Sequence, residues 1–247
     1  MKRLEIKIFK LQTLFLSACF LVLLSCNGKI SDKSNEKVTE KVKEEVPEQT
    51  KEAVADQAKG IANFNKGVEA LDDNNMPLVF KYFMAAAEEG HVDSQFNVAT
   101  MYEQGIGVAN NNKEAFSWYE IAAKNGSSAA QFNLGVCFEN GIGTSVNFEK
   151  ANEWYRKASV QGDGLAVGNL GMLYIRGDGV PVNKVAGIAL LIMSTTMDNS
   201  PENNAKTNIS ATSGLTAKMV TEAQALSEDM RNAQNLTPLD AYLETSN

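Results

Sequence analysis

Residues 131–166 read QFNLGVCFENGIGTSVNFEKANEWYRKASVQGDGLA. Two runs in this segment place apolar and small residues at helical spacing, the second at i, i+3, i+4 and i+7, which predicts two short amphipathic helices. Gly141 and Gly143 stand between the runs, where a left-handed C-cap and a tight turn are needed. Asn147 follows them and is a good N-cap for the second helix. The segment therefore predicts a helical hairpin.

The same pattern recurs along the chain with a period of 36 residues. Residues 95–130 and 131–166 are identical at 14 of 36 aligned positions, where about two would be expected from average composition. A period of about 34 to 45 residues is typical of helical solenoids. The four predicted units are residues 61–94, 95–130, 131–166 and 167–202.

These repeats predict an all-α protein, an α/α solenoid of antiparallel helix pairs with about four 36-residue repeats plus a C-terminal capping helix pair. Pro201 predicts the start of the first closing helix, and Gly214 its end. A column of small residues in the first helices would let two helix backbones approach; it contains Gly67, Ala99, Gly135 and Gly171. The predicted segments are a solenoid at 58–233, with closing helices at 203–233, and a C-terminal tail at 234–247.

The segment from Ala130 to Ala166 closely resembles the Sel-one-like repeat family, a relative of the tetratricopeptide repeat. The resemblance rests on Asn-Leu-Gly, Gly-x-Gly, Lys-Ala, Trp-Tyr and a closing glycine at matching positions, and it extends over roughly residues 61–202. The first unit lacks four turn residues, and the fourth has Leu190-Leu191 in place of Trp-Tyr. Terminal repeats are expected to be atypical because one face lacks a neighbour.

An asparagine occurs in the first helix of every unit. In the related tetratricopeptide proteins the equivalent helix lines the concave groove, and its asparagine bonds the backbone of an extended peptide. An amide has two donors and an acceptor, which suits a main chain of any sequence. The alternative is a packing role, in which the amide bonds a neighbouring helix. The resemblance thus implies partner binding by Asn65, Asn97, Asn133 and Asn169.

The first residues predict a lipoprotein signal peptide at 1–25. A basic stretch precedes the uncharged run Leu11–Leu24, which as a helix would reach about 21 Å, short of the roughly 30 Å of a bilayer core. Leu-Leu-Ser-Cys then resembles the lipobox of bacterial lipoproteins, which implies lipidation of Cys26. Because Asn27 follows instead of aspartate, the outer membrane, facing the periplasm, is the expected location. The alternative is an ordinary secretory signal cut nearby.

Residues 26–57 predict a flexible charged tether. They are rich in Lys, Glu, Ser and Thr and contain no aromatic residue, so they cannot bury enough apolar area to offset chain entropy. The whole chain carries a net charge of −7. The chain has 23 basic and 30 acidic residues, and the signal peptide contains four of the basic residues and one of the acidic residues. Its removal would leave 19 basic and 29 acidic residues, a net charge of −10. That sign is wrong for a partner with a phosphate backbone, so no nucleic acid is expected.

Residue types that carry chemistry are scarce. His91 is the only histidine and is expected to be an exposed turn residue, while Cys137 shares a column with apolar residues and is expected to be buried. The Gly-x-Gly turns lack the third glycine and the preceding strand of a dinucleotide site. No cofactor, metal or catalytic group is expected. An alternative is peptidoglycan or glycan binding, which would use Trp118, Tyr119, Trp154 and Tyr155.

The sequence therefore favours a lipid-anchored, non-catalytic adaptor of the cell envelope, which binds another envelope protein or an extended peptide through a helical-repeat groove. A β-lactamase-like, cell-wall-processing function is the alternative suggested by cysteine-rich members of the same family. Those members pair cysteines in every repeat, and no such cysteines occur in this sequence. A Ser-x-x-Lys motif is also absent from the four units.

Overall fold

The computed structural model describes residues 48–246, with side-chain exposure given from residue 56 onward. The predicted signal peptide, Cys26 and most of the predicted tether therefore lie outside the described residues. Over residues 48–246 the chain forms eleven α-helices and no strand. None of these helices is both long enough and apolar enough to cross a membrane.

Helices follow one another along the chain, and each of the first eight packs against the next. The predicted all-α solenoid of helix pairs is confirmed. The pairs are α1/α2, α3/α4, α5/α6 and α7/α8. The helices are α1 Glu48–Asp72, α2 Met76–Glu88, α3 Val92–Gln104, α4 Asn112–Lys124, α5 Ser128–Asn140, α6 Phe148–Val160, α7 Gly164–Arg176, α8 Lys184–Met197, α9 Ala205–Ala211, α10 Ala217–Ala233 and α11 Thr237–Thr245.

Each hairpin turn ends one helix and caps the next as the sequence predicts. Gly105, Gly141 and Gly177 adopt left-handed conformations at the ends of α3, α5 and α7, with φ of 69°, 70° and 80°. The second helix then begins at an asparagine whose side-chain oxygen accepts a backbone N–H. Asn147, for example, accepts from the Lys150 N–H at 2.8 Å.

The second glycine of each Gly-x-Gly turn makes the contact between units. A Cβ atom on Gly143 would lie 2.1 Å from the backbone oxygen of Asn112, at the start of α4 in the preceding unit. Gly107 and Gly179 face the starts of α2 and α6 in the same way, at 2.2 and 2.6 Å from backbone atoms. The sequence explains these glycines as turn residues only. The structure shows that they also leave room for the neighbouring backbone.

The column of small residues serves two purposes. A Cβ atom on Gly135 would lie 2.6 Å from the ring of Tyr155, and one on Gly67 would lie 2.4 Å from the ring of Phe83. These two glycines therefore admit an aromatic ring from the second helix of the same pair. Only Gly171 approaches a helix backbone as predicted, since a Cβ atom there would lie 2.8 Å from the Gly187 oxygen.

The hydrophobic core runs from unit to unit between the helices of each pair. The tyrosines of the Trp-Tyr pairs, Tyr119 and Tyr155, are almost fully buried, and Leu191 takes their place in the fourth unit. Cys137 is 1% exposed, as predicted for a small apolar residue. Burial, and secondarily the negative charge of Glu103, raise the pKa of the Cys137 thiol to about 12.

Helix α1 begins at Glu48, inside the segment 26–57 that the sequence assigns to a flexible tether. Residues 48–57 are helical because they are rich in Ala, Glu, Lys and Gln, which favour helix, and because they continue directly into a packed helix. Gly60 already lies against the end of α2, where a Cβ atom on this glycine would be 3.4 Å from the Ala86 oxygen. Helix α1 therefore includes the last ten residues of the predicted tether.

The C-terminal end also differs from the prediction. The first closing helix begins at Ala205 and not at Pro201, which lies in the preceding turn. Helices α9 and α10 both pack against α8 and close the solenoid. The predicted tail 234–247 contains α11, which packs against α10 and α8, buries Leu239 completely, and pairs Asp240 with Arg156 of α6. Its short apolar stripe becomes stable only through this packing.

We expect Gly143→Ala to destabilise the protein by about 3 kcal/mol or more, because it combines left-handed backbone strain with a clash against the backbone of α4. Gly126→Ala is the matched control. Gly126 is also left-handed, at φ 94°, but a Cβ atom there would have nothing within 4 Å, so the expected loss is only about 1 kcal/mol. Urea unfolding of both variants measures the difference, and equal losses would contradict the close contact.

We expect the Cys137 thiol to resist alkylation in the folded protein at about pH 8, because it is buried and fewer than about one thiol in a thousand is ionised there. Mass spectrometry of the peptide that carries Cys137 measures the labelling, with urea-unfolded protein as the positive control. Comparable labelling rates in the folded and unfolded protein would show that the thiol is accessible.

Candidate functional site

The predicted asparagines occupy equivalent places on the first helices. Asn97, Asn133 and Asn169 are half-buried on α3, α5 and α7, whereas Asn65 on α1 is exposed. Residues three and six positions further along α3, α5 and α7 lie about 60° and about 120° around the helix from each asparagine and extend this surface sideways. We call this surface the asparagine face; it consists of Asn97, Thr100 and Glu103 on α3, of Asn133, Val136 and Glu139 on α5, and of Asn169, Met172 and Ile175 on α7.

The asparagines of this face differ in their hydrogen bonding. The Asn169 amide donates to the phenol oxygen of Tyr155 at 3.1 Å, which is the packing role weighed in the sequence. The side chains of Asn97 and Asn133 make no hydrogen bond to any other residue in the range 48–246. Two half-buried amides, one repeat apart, are therefore open to a ligand, while the third stabilises the solenoid.

A tyrosine and a glutamate pair along the same face in two successive units. The Tyr119 hydroxyl donates to Glu103 Oε2 at 2.8 Å, and the Tyr155 hydroxyl donates to Glu139 Oε2 at 2.7 Å. Burial, together with the adjacent carboxylate, raises the pKa of both phenols far above their ordinary value. Both hydroxyls therefore remain protonated donors. Sequence reasoning missed these pairs, although a glutamate precedes the tyrosine by 16 residues in each unit.

The two glutamates differ in their cationic neighbour. The Arg176 guanidinium binds Glu139 Oε1, and its Nε lies 2.7 Å from Asp178 Oδ2. In the preceding unit Asn140 takes the position of Arg176, and its amide donates to the backbone oxygen of Val136 in its own helix at 3.1 Å. Glu103 consequently makes no ion pair with any residue that the structure describes.

His91 lies at the beginning of α3 and is not the exposed turn residue that its position after Gly90 predicts. Its ring is half-buried, 4.6 Å from the ring of Phe64, and its Nδ1 accepts the Ser94 N–H at 3.2 Å as an N-cap. Burial lowers the pKa of the imidazole, and the charge of Asp93 opposes that shift. His91 thus has a structural role in the neutral form.

The four aromatic residues considered for glycan binding belong to the hydrophobic core or pack against it. The rings of Tyr119 and Tyr155 are buried, and Trp118 and Trp154 are half-buried against the hydrophobic core. The Trp154 ring is also covered by Lys157, whose Nζ lies 3.8 Å from the ring centre. These residues therefore provide no stacked aromatic platform on the surface.

Three parts of the chain match the family model for the Sel1 repeat, at residues 92–127, 128–163 and 165–199. The first two matches begin three residues before the units deduced from the sequence, at the starts of helices α3 and α5. Each match therefore covers one helix pair. No curated protein matches the chain.

Two solved structures resemble this fold. The Sel1 repeat protein from Oxalobacter formigenes shares 25% sequence identity over 73% of this chain and 76% of that chain, with a TM-score of 0.54. The second is c5321, a protective antigen present in uropathogenic Escherichia coli strains that displays an SLR fold. Its identity is 26% over 77% of this chain and 49% of that chain, with a TM-score of 0.49; this chain thus spans about half the length of c5321. The chain therefore contains three Sel1 repeats within residues 92–199, each folded as a TPR-like helix pair.

Proposed function

We propose that this protein is a non-catalytic adaptor that binds another protein, or an extended peptide segment of it, through the asparagine face. Sel1 repeat proteins generally mediate protein–protein interaction, and their fold is typically a non-catalytic scaffold. The observation that carries the proposal is the pair of half-buried amides of Asn97 and Asn133, which have no hydrogen-bond partner within residues 48–246.

The half-buried amides of Asn97 and Asn133 favour a ligand that offers backbone N–H and C=O groups. Each amide offers two donors and an acceptor, and a partly buried polar group that lacks a partner gains more from a new hydrogen bond than an exposed one does. Asn169 shows the contrasting case, because its amide is already occupied by Tyr155. The binding surface proposed here is therefore centred on α3 and α5, toward the N-terminal side of the solenoid.

The proposed setting is the bacterial cell envelope. The lipobox-like sequence that ends at Cys26 supports a lipid anchor, and two or three acyl chains would hold the protein on a bilayer. In this proposal the protein sits on the outer membrane, faces the periplasm, and binds another envelope protein. The acidic composition of the chain, with a net charge of −7, supports a partner with basic character.

We expect the double substitution Asn97→Ala and Asn133→Ala to abolish partner capture and to change the free energy of unfolding by less than about 0.5 kcal/mol, because neither amide bonds a described residue. In-cell crosslinking followed by affinity purification measures capture. Asn232→Ala is the control, since Asn232 is exposed on α10, outside the asparagine face. Undiminished capture by the double variant would refute binding through this face.

For the lipid anchor, we expect Cys26→Ser to move the protein from the membrane pellet to the soluble fraction, because the acylated residue is lost. Cys19→Ser, seven residues upstream in the apolar run, is the matched control and should leave the protein in the pellet. Mass spectrometry of the N-terminal peptide shows acylation directly. Retention of both variants in the membrane would disprove anchoring through Cys26.

A further inference from the structure

The Sel1 repeats contain the same glutamate–tyrosine pair twice, and only one copy holds a cation. In the filled copy the Tyr155 hydroxyl occupies Glu139 Oε2 at 2.7 Å, and the Arg176 guanidinium occupies Oε1 of the same carboxylate. The glutamate side chain is only 16% exposed there. The phenol thus orients the carboxylate and leaves its second oxygen for a guanidinium that reaches across from the next unit.

The empty copy is built from the equivalent residues one repeat earlier. Tyr119 donates to Glu103 Oε2 at 2.8 Å, which reproduces the filled copy. The residue in the place of Arg176 is Asn140, which carries no charge and bonds its own helix. The second carboxylate oxygen of Glu103 therefore has no hydrogen-bond partner among residues 48–246.

We propose that Glu103 and Tyr119 form a socket for an arginine side chain of the bound partner, in the way that Glu139 and Tyr155 bind Arg176. This socket, the Glu103 socket, rests on the proposed function, because Glu103 belongs to the asparagine face and lies six residues beyond Asn97 on α3. It names the class of partner as a protein segment that carries an arginine. Asn97 and Asn133 would bond the main chain of that segment while its arginine enters the socket.

The chemistry of the filled copy favours arginine over lysine. A guanidinium presents several N–H donors in one plane, so it can bond a carboxylate and a neighbouring acceptor together. Arg176 does so, since it bonds both Glu139 and Asp178. Thr100 supplies a further polar group at the socket, with its hydroxyl 3.3 Å from the Tyr119 hydroxyl. A half-buried carboxylate that lacks a cation gains from such a partner more than an exposed one does.

The test is a titration of the full chain, labelled with ¹³C at the glutamate carboxyl carbons, with the peptide acetyl-Ala-Ala-Arg-Ala-Ala-amide. The neutral citrulline peptide of the same length is the control. We expect the Glu103 carboxyl signal to shift with the arginine peptide and not with the citrulline peptide, while the Glu139 signal stays in place. Glu103→Gln keeps an acceptor for Tyr119 and should weaken binding by about tenfold or more.

Two further variants fill the empty copy and empty the filled copy. Their opposite expected results mean that the test does not depend on a single variant that could fail to fold. Asn140→Arg changes an exposed residue and supplies the chain's own guanidinium to Glu103, so the peptide should no longer shift the Glu103 signal. Arg176→Ala empties the other copy, so the Glu139 signal should now respond as well. Circular dichroism confirms that both variants are folded.

The proposal is overturned if the Glu103 signal does not move at millimolar peptide, or if both peptides move it equally. Partner capture separates this failure from failure of the proposed function. Capture that depends on Asn97 and Asn133 but survives both Glu103→Gln and Asn140→Arg would overturn the socket alone. Capture that is unchanged in the double asparagine variant would overturn binding through the asparagine face itself.

Discussion

The regular stacking of the units depends on the close contact between the second glycine of each turn and the backbone of the preceding unit. At Gly107, Gly143 and Gly179 a Cβ atom would lie within 2.6 Å of that backbone, a distance that no side chain tolerates. The turn of one hairpin is therefore held directly against the start of the second helix before it. Because the contact involves main chain on one side and a bare Cα on the other, it is the same at all three of these turns. This constancy aligns the asparagines and the glutamate–tyrosine pairs along one face.

The two end units depart from the inner units in different ways, and only the first lacks this contact, since Gly179 makes it in the fourth. The first unit has Leu71–Asn75 in place of the glycine pair, and Asn74, at φ 51°, provides the left-handed residue of its turn. At the other end the Trp-Tyr pair is replaced by Leu190-Leu191, both fully buried. Helix α8 is covered by α7, α9, α10 and α11, so it needs no side chain with a polar tip. The terminal units thus differ because their neighbours differ.

The sequence predicts those features that are repeated and local. The 36-residue period, the glycine C-caps and the asparagine N-caps specify the helix pairs, because each depends on a few adjacent residues. Features that depend on tertiary packing could not be predicted. Residues 48–57 have the composition of a tether, yet they extend a helix whose later residues are packed. His91 has the sequence context of an exposed turn, but Phe64, 27 residues earlier, covers its ring. The tail contains α11 because α8 and α10 bury Leu239.

The candidate site shows why repetition in the sequence is only a partial guide to function. A column of four asparagines predicts one role, but the structure gives Asn169 a bond to Tyr155 and leaves Asn97 and Asn133 open. The reason lies in contacts between units: Asn169 bonds a tyrosine 14 residues earlier, and Arg176 bonds a glutamate 37 residues earlier. Such contacts become visible only once the units are stacked. Two units can have the same backbone conformation and yet differ in their hydrogen bonds. Polar groups that have a partner in the later unit and none in the earlier unit then indicate the chemistry of a ligand. In the later unit both groups are satisfied within the chain, by Tyr155 and by Arg176; in our proposal a bound partner supplies the complementary groups for the earlier unit.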